Sequence, residues 1–407
     1  MAVGAVLGSG VLILPAITAQ QSGPASILAW IGMSLLAFPL SLTIGRLGAR
    51  FPHAGGIAEY ARLAFGPTLG RITGWLFAGT IPIGVPIIAL VGAGYAVGSL
   101  SLPGWTIPFM AAFMLAASLF LNVRGIEMAG WGQLVLIGLV TVMIMAAILI
   151  AMPHIQHGAF HPLAPHGWRV LGTSAIMIFW CFVGWEMVAH LAEEFGHPER
   201  DLRRTFALAP AIVGVLYVAL SWVTVGTHSY GKVNSKTSMS HLIGTGLGHT
   251  GSVITGILAL VITLVSIHGN VTGFSRMVYA QARSGDFPAF LARLHASYQT
   301  PSVVLYLLGM DFAIVVGLYS VFHVNLGELV KWPSTVFLAL YLIAMASAIR
   351  LLRTERRTRW VPWIPFTVCV ALYPFAGWAA IYPLVLASLG WFMTRRTSPS
   401  VSKEHTE

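Results

Sequence analysis

Ionisable side chains are scarce in this sequence, so the few that fall inside apolar stretches are the first candidates for chemistry. Glu186 lies in IMIFWCFVGWEMVAHLAEEFGHPERDLRR, just after Gly184 and one helical turn before His190. His268 and Asn270 share a second apolar stretch, and Asp311 stands in a third. A charge at the centre of a bilayer costs at least about 2.5–3.5 kcal/mol on insertion scales, so such residues face a protein interior or serve a function. Glu186 is placed to cap a helix start or to carry a proton; the plainer alternative is a structural carboxylate bonded to free backbone N–H groups. The spacing of Glu186 and His190 lets them interact on one helix face, although simple packing accounts for His190 as well. His268 titrates near neutrality and suits a proton carrier, against the simpler reading of a histidine hydrogen-bonded within a bundle. Asp311 is expected to pair with a neighbour or a partner subunit, and no role in a site is assigned to it.

Other constellations are weaker. His154, His157, His161 and His166 cluster in PHIQHGAFHPLAPHGW, but no cysteine or carboxylate joins them and the prolines spoil helical spacing. A solvated loop is expected there rather than zinc. Glu193 to Arg204 reads as a mixed-sign solvated loop that could also close a gate through ion pairs. Residues 281–295, with Arg283, Asp286 and Arg293 among Phe287, Phe290 and Leu291, are expected to form an amphipathic interfacial helix. An intramembrane enzyme built on Glu186, His190 and His268 would need a nucleophile or metal ligand set. No His-x-x-x-His, Gly-x-Ser-x-Gly or paired aspartates occur in the apolar stretches, so neither an enzyme nor a bound cofactor or metal is expected.

The elements that must position these residues follow from composition. The 407 residues are 57% hydrophobic and 9% charged, with a mean hydropathy of +0.80. A soluble surface needs more charge, and many runs of about 20 apolar residues make this a polytopic helical membrane protein. The runs lack the in/out alternation of a barrel strand. The net charge of +10 is dispersed in short clusters between apolar runs, which fits topology control and not a nucleic-acid partner. Cys181 and Cys369 both lie in apolar runs, so no disulfide framework is visible. No basic n-region follows Met1, and no cleavable signal is expected.

Twelve spans are read: 2–20, 26–48, 72–98, 106–122, 130–152, 171–192, 205–227, 252–280, 302–320, 329–349, 360–376 and 378–394. With the first residue inside, only Arg169, Lys232, Lys236 and Lys331 of the 23 Lys and Arg residues fall outside. Positive residues accumulate on the cytoplasmic side, so both termini are placed there. Residues 1–396 are taken as one membrane domain and 397–407 as a disordered cytoplasmic tail. Membrane lipid surrounds the spans, and the sequence leaves the oligomeric state open.

The first and sixth spans carry glycines placed to break them. The first, MAVGAVLGSGVLILP, places Gly8, Ser9 and Gly10 ahead of Pro15; the sixth holds Gly184. Glycine weakens a helix by roughly 1 kcal/mol relative to alanine, and unwound backbone in lipid survives only where protein or a water-filled cavity surrounds it. A break at Gly8-Ser9-Gly10 would free N–H groups at the positive end of a half-helix, which suits a carboxylate. Close helix packing through Gly4 and Gly8 is the alternative. The matching break five spans later points to two five-helix inverted repeats with a site at the midplane.

GAVLGSGVLILP, FPHAGGIAEYARLAFGPTLGRITGW, FWCFVGWEMVAHLAEEFGHPERDL and SRMVYAQARSGDFPAFLARLH resemble, in order, motifs of the amino acid–polyamine–organocation superfamily. GTIPIGVP and FWCFVG most resemble members that export methionine and branched-chain amino acids. The resemblance implies an all-α, leucine-transporter-like fold with discontinuous helices 1 and 6, spans 1–5 and 6–10 as repeats, and spans 11–12 appended. It implies that the backbone of Gly8, Ser9 and Gly10 binds a substrate carboxylate. Carbonyls around Trp180 and Val183, at the Gly184 break, would take the α-amino group; Trp180 would hold the aromatic gate position and Val6 would line the pocket. Glu186, His268 and Asn270 are the coupling or gating candidates. The implied activity is export of neutral amino acids with a proton as counter-ion in the bacterial cytoplasmic membrane, with uptake or exchange as the alternative. Some relatives carry a sodium-mimicking lysine in span 5, and none is present here. The inner half-helix before Gly8 is short: if Met1 is the start, a weakened cytoplasmic gate is expected, and if it is not, the longer chain is expected to transport better.

Overall fold

Apolar runs of bilayer length leave backbone polar groups no partner but their own chain, and helices result. The computed structural model describes residues 6–51, 55–126, 130–185, 198–231, 237–354 and 358–396, and no strand occurs among them. In chain order the helices are α1 (Leu14–Ser22), α2 (Ser26–Arg50), α3 (Gly56–Phe65), α4 (Pro67–Ala78), α5 (Thr80–Ser99), α6 (Ile107–Val123) and α7 (Gly130–Ala151). They continue as α8 (Val170–Phe179), α9 (Pro198–Gly226), α10 (Ser238–Arg283), α11 (Ser302–Phe322), α12 (Leu326–Leu351), α13 (Trp363–Leu372) and α14 (Ile381–Arg396).

Among the described residues, nine helical stretches are long and apolar enough to cross a membrane. Leu14–Arg50 and Trp363–Met393 each contain two segments read from the sequence as separate spans, and Val170–Phe182 is a shorter apolar helix. The core sits around α1 and α8, which pack on one another and on α2, with α9 against α1, while the paired helices α5 and α10 pack on the Ser9–Leu12 turn. Val11, Leu12, Leu14, Ile176 and Ile178 are almost completely buried there. Phe109, Phe113, Val215 and Trp378 instead point outward from the bundle, as lipid-facing positions should.

Two local results differ from a straight-helix reading. Helix α10 is bent at Gly248 (φ 60°, ψ −149°), which sets off an arm of residues 238–247 from the long remainder. The interfacial helix expected over 281–295 does not form. Helix α10 stops at Arg283, Gly285 turns the chain at φ 82°, and only a 3-10 turn, Ala289–Ala292, follows. Pro288 lacks the N–H a continuing helix needs and disfavours helical backbone just before it. Phe287 is therefore free to leave the interface, and it packs edge-on against Trp75 at 4.7 Å between ring centroids.

Candidate functional site

The first interruption lies where the glycines are. Gly8 is extended (φ −99°, ψ −178°), Ser9–Leu12 form a 3-10 turn, and α1 begins at Leu14 with Pro15 in its first turn. Proline costs nothing there, because the first helical N–H groups have no partner within the helix. The Gly8 N–H folds back to the Val6 carbonyl at 2.8 Å. Gly8 itself is exposed, whereas Ser9 and Gly10 are buried.

The second interruption follows α8. Trp180–Phe182 tighten into a 3-10 turn, Val183 is extended (φ −86°, ψ 152°), and Gly184 adopts φ 122°. That φ is disfavoured for any residue with a Cβ, which accounts for glycine here. Trp185 is fully buried immediately afterwards. Glu186, His190 and residues 193–197 lie outside the described residues, whereas Pro198–Arg204, expected in a solvated loop, instead open α9.

The two turns touch each other through the Trp180 indole. A Cβ on Gly10 would sit 2.5 Å from Trp180 Cδ1, and one on Gly84 of α5 would sit 2.7 Å from Trp180 Cη2. The indole thus occupies a slot cut by two glycines, with its remaining edge against Phe337 at 6.0 Å. Beside it is a cavity of about 10 Å³ lined by Ser9, Gly10, Ile13, Leu14, Ile87, Ile88, Val91, Trp180 and Val330. That is room for about one water. The lining holds no charged side chain. Ser9, Gly10 and Trp180 share this cavity, while Val6, Gly8, Val183 and Gly184 flank it without lining it.

Sequence reasoning missed what holds the first break. Two fully buried tyrosines reach the carbonyls on either side of it: Tyr217 of α9 donates to Val6 O at 3.1 Å, and Tyr95 of α5 donates to Leu12 O at 2.6 Å. The available signal was a phenol inside a long apolar run, since a buried tyrosine hydroxyl needs a partner. Gly84 was missed as well; it lies in the GTIPIGVP motif.

The polar candidates on α10 separate. His268 is buried, and its Nδ1 lies 3.0 Å from the Asn122 amide nitrogen of α6. Thr272 Oγ1 lies 2.6 Å from Asn122 Oδ1, and the Asn122 amide also donates to Ser118 O, which fixes its orientation. Since the amide donates, Nδ1 accepts and the neutral ring carries its proton on Nε2. Nε2 is buried, and the Ile126 backbone lies beside the ring. Asn270 stays apart, exposed and bonded to Ser266 O at 2.8 Å. Asp311 Oδ2 on α11 is buried with no hydrogen-bond partner among the described residues. No group of three or more His, Cys, Asp or Glu among the described residues could hold a metal. Outside the spans, burial raises the Tyr60 phenol, and Glu59 raises the exposed Arg62 guanidinium.

Two helix breaks that touch within a bundle of membrane-length helices mark a membrane-integral protein, and the proteins it resembles are permeases and transporters. The chain belongs to the amino acid permease family, whose profile matches residues 1–404. It is 44% identical over 392 residues to the uncharacterized amino acid permease YecA of Bacillus subtilis, covering 96% of this chain and 92% of that one. It is 29% identical over 398 residues to the L-methionine/branched-chain amino acid exporter YjeH of Escherichia coli, covering 97% and 94%. A third relative is the branched-chain amino acid permease BcaP of Bacillus subtilis, 21% identical over 419 residues, with 96% and 86% covered.

Proposed function

We propose that the protein is a secondary active transporter that exports methionine and branched-chain amino acids by proton-coupled alternating access. The observation that carries this reading is the pair of facing backbone breaks around an apolar cavity without a charged lining residue. A zwitterion needs donors at one end and acceptors at the other, and two opposed half-helix ends supply both. Backbone N–H groups of Ser9 and Gly10 take the carboxylate, joined by Gly8 once its N–H leaves the Val6 carbonyl, and carbonyls near Trp180 and Val183 take the ammonium. An uncharged side chain then fits the space lined by Ile13, Ile87, Ile88 and Val91. A cavity of about 10 Å³ admits no amino acid, so Trp180 must leave its slot or the turns must part before substrate binds. The similarity to a methionine and branched-chain exporter supports the substrate class and the direction.

The proposal includes twelve spans as two inverted five-helix repeats plus two appended spans. Residues 1–396 form one domain of a bacterial cytoplasmic membrane protein with both termini inside and a 397–407 tail. His268 is the proton carrier proposed from its buried ring hydrogen-bonded to Asn122, with Glu186 and Asn270 as further gating positions. Uptake of the same substrates would use the same site.

Counterflow of labelled methionine, leucine and valine in proteoliposomes tests the reading. Saturable exchange is expected, and its acceleration against an imposed proton gradient marks export. Acceleration down the gradient marks uptake instead. If none of the three amino acids exchanges, the substrate assignment is lost; a response to sodium alone removes the proton.

A further inference from the structure

The break in the first span is joined to a part of the molecule that no transport scheme above uses. The arm of residues 238–247 buries Ser238, Met239, Leu242 and Ile243 in the bundle. Its first turn meets the break directly. Ser238 Oγ donates to Leu12 O at 3.1 Å, the carbonyl that also accepts from Tyr95 Oη at 2.6 Å. The Met239 N–H in turn donates to Tyr95 Oη at 3.1 Å. That N–H is among those a helix start cannot satisfy internally, so the phenol is its partner. One oxygen on α5 therefore connects the last residue of the Ser9–Leu12 turn to the first turn of the arm.

The arm is hinged. Gly248 leaves helical geometry at φ 60°. Across the bend, Ser252 Oγ donates to Ser240 O at 3.0 Å. Tyr217 does the matching service for Val6 O at the other end of the break, yet its hydroxyl has no bond to the arm.

We propose that Tyr95 is a positioning residue that latches the 238–247 arm onto the first-span break, so that the turn offered to substrate keeps its shape only while the arm is docked. The inference rests on the transport reading given above. Undocking the arm strands the Met239 N–H and removes one of two donors from Leu12 O. A shift of the Ser9–Leu12 turn on opening or on substrate loss moves the same carbonyl and loosens the arm. The coupling is reciprocal, as linkage between two sites must be.

The test uses the full chain in proteoliposomes. A thiol introduced by Met239→Cys reports arm docking through a membrane-impermeant maleimide, since Met239 is buried and both native cysteines are buried as well. Tyr95→Phe in this background is expected to label about fivefold faster, the factor for one lost hydrogen bond, and to lose methionine exchange. Tyr217→Phe is expected to slow exchange while labelling at position 239 stays at the parent rate. Ser238→Ala, a milder change in case Tyr95→Phe does not fold, is expected to accelerate labelling in the same direction. Equal labelling in the parent, Tyr95→Phe and Ser238→Ala proteins overturns the latch, as does equal acceleration by Tyr217→Phe. If labelling responds as expected but the parent exchanges no amino acid, the latch stands and the transport reading falls.

Discussion

At the first interruption, hydroxyls of Tyr217 and Tyr95 hold the carbonyls of Val6 and Leu12, so its shape is set by hydrogen bonds from two flanking helices. At the second, packing and backbone conformation are the visible features. Trp180 is wedged between Gly10 and Gly84, Phe179 lies edge-on to Tyr341 at 5.6 Å, and Phe182 lies edge-on to Tyr217 at 5.3 Å. Tyr217 serves both, with its hydroxyl on the first break and its ring on the second. A bonded break can release and re-form one carbonyl at a time. A wedged break changes state only when a whole side chain moves, which makes the first better suited to adjusting around a substrate and the second to an all-or-none step.

The sharpest way to break the contrast is to fill the slot. Gly10→Ala puts a methyl 2.5 Å from the Trp180 ring. Overpacking of this kind costs about 1–3 kcal/mol, and Gly84 behind the indole leaves it no room to shift within the slot. Amino acid exchange is expected to be abolished and the thermal midpoint in detergent to fall. Adding Trp180→Leu removes the clash, so the double variant should regain most of the lost stability, a non-additivity expected of residues in contact. Additive losses would mean the indole does not occupy that slot.

Gly184→Ala tests the same break through backbone instead of volume. Holding alanine at φ 122° costs about 1–3 kcal/mol, and no change in Trp180 should relieve it. A thermal midpoint restored by Trp180→Leu here would show the two glycines to be doing one job. By comparison, Tyr217→Phe removes a single hydrogen bond from the first break and should cost about 1 kcal/mol.

Legibility divided along the same line. The glycine interruptions were readable because helix propensity is local: Gly8-Ser9-Gly10 and Gly184 announce weak helix in their own residues. The all-helical membrane class followed from apolar length alone. Partners were not readable, because Tyr95, Ser238 and Leu12 are brought together only by folding. The same holds for Asn122 and His268, far apart in sequence. The interfacial helix at 281–295 was misread because amphipathic spacing was weighed above Gly285 and Pro288, whose backbone limits decide the matter.

His268 sharpens the comparison from outside both breaks. Its cluster with Asn122 and Thr272 joins α6 to α10, and the hydrogen bonds of that cluster run to neither break. His268→Gln replaces the only ring in that cluster that can gain a proton. Exchange driven by an imposed pH gradient should disappear, while counterflow at equal pH should persist within a few-fold of the parent. Loss of both activities together would make the histidine a packing residue and leave proton movement to be sought elsewhere.

The smallest effect should come from a contact remote from either break. Arg71, in the first turns of α4, pairs with Asp286 in the turn after α10 at 3.2 Å, and both side chains are partly exposed. Exposed pairs contribute about 0–1 kcal/mol and are screened by salt. Asp286→Asn should therefore lower the thermal midpoint only slightly at low ionic strength and not measurably at high salt, with exchange unchanged. The same turn also buries Phe287 against Trp75, an anchor that does not depend on charge. If Asp286→Asn nevertheless slowed exchange as much as Tyr217→Phe, the turn would be carrying motion between α4 and α10, and the bonded break would lose its standing as the adjustable part of the molecule.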